Sequence, residues 1–263
     1  MMDTMRAAFV DRNLDVRELC WDDEATDWST YDAVIIGTTW DYWDRRDEYV
    51  QTLAKIGDAT HLWNPIEMVR WNIDKRYLRD LEAKGAPMIP TLWLDDPSET
   101  AITEAFDHLK NDDLVIKRQI GASSDGQHRI RRGDPIPGVT LPMFAQPFQT
   151  AIINEGEYSF IFVDGELSHV LNKQAAEGDY RIQSEFGGFE KPHEPSPQDE
   201  QAATHIMSLL DETPLYARVD MLRREDGALA LMEIELIEPY LYPEQGPELG
   251  PRLAAAIERR LAN

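Results

Sequence analysis

The sequence predicts a mixed α/β (α+β) chain, a small parallel unit followed by hairpins and helices. Three observations lead there. Tyr31-Asp-Ala-Val-Ile-Ile-Gly37 is an apolar run closed by glycine, the pattern of a strand buried in a parallel sheet. Two Asp-Gly pairs, Asp164-Gly165 and Asp226-Gly227, each sit between apolar stretches and read as hairpin turns. The last helix carries Leu249, Leu253, Ile257 and Leu261 at i, i+4 spacing, a stripe that faces a core.

Taken in order, Met5, Ala8 and Phe9 share a helical face, and Leu14 to Leu19 reads as a short strand. The chain reads as starting inside a helix where a first strand would normally come before it, so either the sheet of this unit is trimmed or the start is placed late. Thr38-Thr-Trp-Asp-Tyr-Trp43 follows the buried strand at its C-terminal end, where open α/β sheets carry ligands. A helix is expected from about Asp47 to Ile56, and another from Asn64-Pro65 to about Lys84. Pro87 and Pro90 mark a linker. Beyond it, Asp113-Leu-Val-Ile-Lys117 is a short strand and Gly121-Ala-Ser-Ser-Asp-Gly126 a loop of small residues. Ser159 to Val163 and Glu166 to Leu171 form the first hairpin. Residues 174–198 read as a long loop, and Gln198 to Leu210 as a helix. Ala217 to Leu222 and Ala228 to Ile237 form the second hairpin.

The composition sets bounds. At 263 residues the chain holds one large domain or two to three small ones. Its formal net charge of −23 repels phosphate backbones and anionic lipid, which argues against nucleic-acid and membrane partners. Cys20 is the sole cysteine, so no intrachain disulfide forms. It reads as a small apolar residue at a strand end. No apolar run approaches a membrane span, and the N-terminus lacks the apolar core of a signal peptide, so the expected compartment is the cytoplasm.

The second hairpin carries the chemistry. A two-residue turn at Asp226-Gly227 places Asp220 opposite Glu233 and Arg218 opposite Glu235, all on one face. Like charges facing each other across a sheet are destabilising, and a divalent cation would compensate. The alternative is a solvated outer face with a loose Arg218–Glu235 pair. Strict alternation in Leu231-Met-Glu-Ile-Glu-Leu-Ile-Glu-Pro239 gives the acidic face an apolar back.

Other candidates are weaker alone. Lys117 ends a buried strand just before the small-residue loop, which is either a phosphate cradle or a surface lysine after a strand. The loop is not a Walker loop. Lys75 lies on a helix, where solvated lysines are usual. Met143-Phe-Ala-Gln-Pro-Phe148 reads as an inter-lobe strand whose backbone edge could meet an adenine ring, or as an ordinary strand entering the hairpin. Arg181, in the long loop, could neutralise a phosphoryl group or be a surface residue. The six histidines show no metal-ligand spacing.

The order of these segments resembles the ATP-grasp superfamily, particularly its glutathione synthetase-like branch and the ATP-grasp ligases of cycloserine biosynthesis. The segments are Thr39-Trp-Asp-Tyr, Trp63-Asn-Pro, Asn72-Ile-Asp-Lys75, Val115-Ile-Lys117 with Gly121 to Gly126, Ala145-Gln-Pro-Phe148, Ala217-Arg-Val-Asp220 and Met232-Glu-Ile-Glu-Leu-Ile-Glu-Pro239. The resemblance implies two α+β lobes clamping ATP, preceded by a small parallel unit, with boundaries 1–64, 65–145 and 146–263. It implies that Lys75 and Lys117 meet the nucleotide and its phosphates, with Gly121, Ser123 and Ser124 in a lid above them. Gln146 and Phe148 then form the adenine hinge and Glu157 holds the ribose. Asp220, Glu233 and Glu235 match metal ligands, and Arg181 and Arg218 match arginines facing the γ-phosphate and the carboxylate substrate. Relatives commonly carry Asn at the position of Glu235.

The function implied is an ATP-dependent carboxylate–amine ligase working through an acyl phosphate on a small amino-acid or peptide-like substrate. Its cofactors would be ATP and Mg²⁺, two ions bridged by Glu233, with Mn²⁺ an alternative. Its partners would be small carboxylates and amines, with a homodimer left open. Two alternatives stand beside it: ring closure within one amino-acid derivative, and a non-catalytic ATP-binding protein.

Overall fold

The computed structural model describes residues 1–121, 126–176, 178–182 and 187–262. Helix α1 (Met2–Val10) leads through an extended stretch and a 3-10 turn (Trp28–Thr30) to strand β1 (Ala33–Ile35). A second 3-10 turn (Tyr42–Arg45) enters α2 (Arg46–Ala59) and β2 (His61–Trp63), which pairs parallel to β1. There follow α3 (Ile66–Asn72), α4 (Tyr77–Ala83), β3 (Leu92–Leu94), α5 (Glu99–His108), β4 (Asp113–Arg118), β5 (His128–Arg131) and β6 (Met143–Pro147). The last third holds α6 (Ala151–Asn154), β7 (Glu157–Val163), β8 (Glu166–Gln174), β9 (Phe189–Pro192), α7 (Pro197–Ser208), β10 (Tyr216–Arg223), β11 (Leu229–Glu235) and α8 (Leu249–Leu261).

Two antiparallel sheets dominate. One has the order β3-β6-β4-β5, the other β11-β10-β7-β8-β9. The first buries Leu114, Ile116, Met143 and Ala145 against Ile102, Ala105 and Phe106 of α5. α5 starts at Ser98, whose side chain accepts the Ala101 N–H and satisfies one orphan donor of the first turn. The second sheet packs helices on both faces. Phe160, Phe162, Val219 and Met221 pack with Tyr77, Leu78 and Leu81 of α4 and Ile206 of α7. Ile161, Val163 and Leu171 pack on the other side with Met5, Phe9, Leu249, Leu253 and Ile257, which joins α1 and α8 into one layer. The two helices meet at Gly250, where an added Cβ would come within 3.2 Å of Met5.

β11 is an edge strand, and its free edge is covered rather than exposed. Asn72 donates to the Ile234 carbonyl at 2.9 Å and accepts the Leu236 N–H at 2.9 Å. The Tyr77 hydroxyl accepts the Ile234 N–H at 3.0 Å, and the Pro87 carbonyl accepts the Leu231 N–H at 2.7 Å. The proline-marked segment is therefore a docked edge rather than a free linker. Asn64 does similar work at the end of β2, donating to the Tyr216 and Leu236 carbonyls and accepting the Leu215 N–H.

Several expectations need correction. Leu14 to Leu19 is not a strand. Leu14 and Val16 lean on the α1–α8 core, while the residues between and after them are exposed without a ladder partner. Cys20 is accordingly exposed and ends no strand. The helix expected over 64–84 is two helices, because Asp74 accepts the Arg76 N–H at 2.9 Å and offers the backbone a local turn instead. The stretch 174–198 contains β9, which pairs with β8. Among the described residues no helix is long and apolar enough to cross a membrane.

Candidate active site

A cleft of about 600 Å³ opens between the two sheets. All described candidates line it: Lys75, Lys117, Gly121, Gln146, Phe148, Glu157, Arg181, Arg218, Asp220, Glu233 and Glu235. Ser123 and Ser124 lie outside the described residues.

The acidic hairpin has the expected register, reached by an unexpected route. Asp220 faces Glu233 and Arg218 faces Glu235. Near the turn, however, Arg223 pairs with Leu229 and Arg224 N–H donates to Ala228, so the loop has three residues and ends on Gly227 at φ +82. A bulge between Asp220 and Met221 then restores the register, with Met232 as the extra residue. Without that bulge Met232 would oppose Asp220, and Glu233 and Glu235 would turn to the other face. With it, both glutamates and Met232 line the cleft.

Protein cations, as the structure stands, offset the facing carboxylates. The Arg218 guanidinium binds Asp220 at 3.0 and 3.1 Å, pairs with Glu235, and donates to the Tyr240 carbonyl at 3.3 Å. Lys173 Nζ lies 3.2 Å from both Asp220 and Glu157, and Ser159 also donates to Asp220. Lys75 Nζ lies 2.7 Å from Glu233 and donates to the Gly121 carbonyl at 2.7 Å. Burial works against the Asp220 charge, yet Arg218 and Lys173 outweigh it and hold the carboxyl below its usual range. Burial pushes Glu157 and Glu235 the other way. The loose surface pair considered from sequence is thus excluded: Arg218 is 8% exposed and Asp220 4%.

The other end is built differently. Lys117, on β4, donates to Gln146 Oε1 at 3.1 Å and has no carboxylate partner among the described residues. Gln146 Nε2 donates to Thr91 at 2.9 Å, which aims the amide oxygen at the lysine. Burial pulls the Lys117 ammonium down to about 8. Phe148 meets Tyr180 edge-on at 5.6 Å, with the Arg129 guanidinium 3.4 Å over its ring. Asp113 holds that guanidinium through two bonds of 2.9 and 2.6 Å. Met232, Ile152 and Leu222 complete an apolar wall with Phe148. The Gln146 side chain is therefore a brace for Lys117. Arg181 lies at the rim, bonded to Asp179 at 2.7 Å.

Sequence reasoning missed Lys173, Glu238, Tyr180, Tyr240 and Tyr242, all of which line the cleft. Lys173 could have been found from its buried strand, since a lysine there requires a buried acid.

Oxygen donors suit a hard cation, and Mg²⁺ usually takes one or two carboxylates plus phosphate oxygens. Glu233 and Glu235, with side chains 31% and 28% exposed, can supply them. Among the described residues no three acidic or histidine side chains already converge as a complete ligand set. The site suits an ion that arrives with an anionic ligand and draws the glutamates from Lys75 and Arg218.

The chain is similar to known proteins in sequence and in fold. Residues 2–64 match the family model described as the D-cycloserine synthetase DcsG N-terminal domain. The chain is 30% identical over 266 residues to the cycloserine biosynthesis protein DcsG of Streptomyces lavendulae, covering 93% of this chain and 88% of that protein. The crystal structure of D-cycloserine synthetase DcsG superposes with a TM-score of 0.87 at 26% identity, over 99% of this chain and 94% of that one. D-alanine–D-alanine ligase from Bacillus anthracis, complexed with ATP, shares the fold with a TM-score of 0.70 at 15% identity, over 99% and 90% of the two chains.

Proposed function

The chain belongs to the ATP-grasp ligases, in the family of the cycloserine biosynthesis protein DcsG, and from that premise we propose that it activates a small carboxylate with ATP and transfers the acyl group to an amine. The observation that carries the reading is the paired arrangement of Lys75 and Lys117 with Asp220, Glu233 and Glu235 around one cleft. A triphosphate needs cations along its length, and its metal needs carboxylate oxygens beside it.

In this reading the adenine ring lies against Phe148, Tyr180 and Met232, beside the backbone at Gln146 and Phe148. Glu157 takes the ribose. Lys117 and Lys75 take phosphate oxygens, Lys75 leaving Glu233 to do so, and Gly121 belongs to the lid with Ser123 and Ser124. Glu233 and Glu235, with Asp220 behind them, would hold Mg²⁺, two ions with Mn²⁺ an alternative. Bound there, the metal supplies charge neutralisation at the phosphates. Arg181 serves the γ-phosphate and Arg218 the substrate carboxylate, while also keeping Asp220 ionised. The substrate carboxylate attacks the γ-phosphorus and forms an acyl phosphate with release of ADP. The amine then attacks the acyl carbon and phosphate leaves. These steps rest on positioning and charge neutralisation and need no protein nucleophile. The division into residues 1–64, 65–145 and 146–263 is kept as segments that all line the cleft, although its second boundary falls inside β6 and α4 packs on the second sheet.

A second reading, closure of a ring within one amino-acid derivative, is favoured by the likeness over both N-terminal unit and full length to the cycloserine protein. The test is phosphate release with Mg-ATP over a panel of amino, hydroxy and amino-oxy acids, each labelled with ¹⁸O in its carboxylate. Transfer of ¹⁸O into the released phosphate supports the acyl phosphate, and unlabelled phosphate excludes it. Product mass separates joining of two substrates from ring closure.

A further inference from the structure

Where the N-terminal unit meets the cleft, the chain leaves β11 as Leu236-Ile-Glu-Pro239. Glu238 is 7% exposed and lines the cleft. Two other buried carboxylates line it, Glu157 and Asp220, and both are ion-paired to Lys173. Glu238 forms no ion pair among the described residues, and the Lys75 charge reaches it only from a distance. Its carboxyl is hydrogen-bonded by Tyr42, a neutral donor. Its main-chain carbonyl accepts the Trp40 indole N–H at 3.3 Å.

A carboxylate removed from water with one neutral donor is expensive to keep charged. Burial, with Glu235 nearby, pushes its pKa up to about 8. A folded chain that accepts this cost inside a binding cleft gains it back when a cation arrives. The surroundings fit an organic cation. Trp40 and Tyr240 also line the cleft, and aromatic faces attract ammonium groups. Trp40 is 52% exposed and lines the same cleft, with its N–H held by the main-chain carbonyl of Glu238 itself. The metal-facing glutamates lie apart in role, since Glu233 and Glu235 already carry Lys75 and Arg218.

We propose that Glu238 is a specificity-determining residue that receives the ammonium group of an amino-acid-like substrate, beside Trp40 and Tyr42 of the N-terminal unit. The proposal rests on the ligase reading and narrows its substrate class to primary amines over their hydroxyl analogues.

The experiment is calorimetric titration of the protein with bound Mg-AMPPNP. The probes are both enantiomers of alanine and serine, matched against those of lactate and glycerate. The proteins are wild type, Glu238→Gln and Glu238→Asp. Wild type is expected to bind at least one amino acid about 30-fold more tightly than its hydroxy analogue, the scale of a hydrogen bond between charged groups. Glu238→Gln, which keeps the shape and the Tyr42 bond, is expected to bind both members alike, and Glu238→Asp to retain part of the preference. Equal binding by wild type, a preference that survives in Glu238→Gln, or a panel in which no amine binds overturns the proposal. Titration of Mg-AMPPNP into the same proteins reports folding and separates the two claims. Loss of nucleotide binding in wild type sinks the ligase reading, whereas normal nucleotide binding without amine preference sinks only the role of Glu238.

Discussion

The two ends of the cleft hold their charges by opposite means. At the Phe148 end, Lys117 is buried beside a neutral amide and an apolar wall, and its charge is opposed mainly by solvent loss, with Lys75 adding to it and Glu233 and Glu157 acting the other way without an ion pair. At the hairpin end, Arg218 and Lys173 are matched with Asp220, Glu157 and Glu235 in one network, and Lys75 is paired with Glu233 beside it. The first end is poised to gain an anion. The second is balanced, and any ion entering it must exchange with partners already present. The contrast predicts that substitutions at the hairpin end act on folding as well as on turnover, whereas substitutions at the other end act on ligand affinity.

The largest expected effect breaks the balanced end. Arg218→Met leaves Asp220 buried without its guanidinium and should cost about 3–5 kcal/mol in urea unfolding, the usual result of orphaning one partner of a buried pair. Equal unfolding midpoints for variant and wild type would show that the network contributes no stability. Lys117→Met is the counterpart at the other end. It removes a buried charge without an ionic partner, so stability should hold or rise, while affinity for ATP in calorimetry falls about 100-fold with the lost charge-assisted bonds to phosphate.

Gln146→Leu should be smaller, about 10-fold in ATP affinity, since it removes one hydrogen bond that aims Lys117 and leaves the lysine itself in place. Folding tolerates that change less well than Lys117→Met, because Thr91 also loses its donor. The smallest effect is in pH. The Lys117 cation is present below about 8 and lost above it, so ATP affinity should decline as pH rises through 8, and Lys117→Met should flatten that decline. Folding responds in the other direction. The unfolded lysine keeps its proton up to about 10.5, so between those values the unfolded chain binds more protons and this group makes stability rise with pH. Thermal melts of wild type and Lys117→Met across that window measure the difference.

The two hairpins show what the sequence could and could not disclose. For β7 and β8 the Asp-Gly turn is as expected, with Asp164 and Gly165 both at positive φ and Val163 facing Glu166. A bulge between Ile161 and Phe162 then shifts the register, so Glu157 faces Lys173 where turn counting would set Asn172. That single step hid the Lys173 pair. For β10 and β11 the turn was misjudged by one residue and a bulge restored the count, so Asp220 and Glu233 met as expected. Apolar periodicity reveals which residues form strands, since burial requires it. Bulges carry no comparable signal, because one extra residue leaves the apolar pattern nearly unchanged. Glu238 stayed hidden for another reason. Its neighbours Tyr42 and Trp40 are about two hundred positions away in the chain, and nothing local distinguishes it from a solvated glutamate.

The two ends meet in one claim, that the cleft binds ATP with its metal through Glu233. Calorimetric titration of ATP with Mg²⁺ and with EDTA, for wild type and Glu233→Gln, tests it most directly. The account predicts that wild type loses affinity about 100-fold in EDTA, and that Glu233→Gln binds weakly in both conditions with little metal dependence. Binding of ATP that is equally tight with and without Mg²⁺, or a Glu233→Gln variant that keeps the full metal dependence, would contradict it.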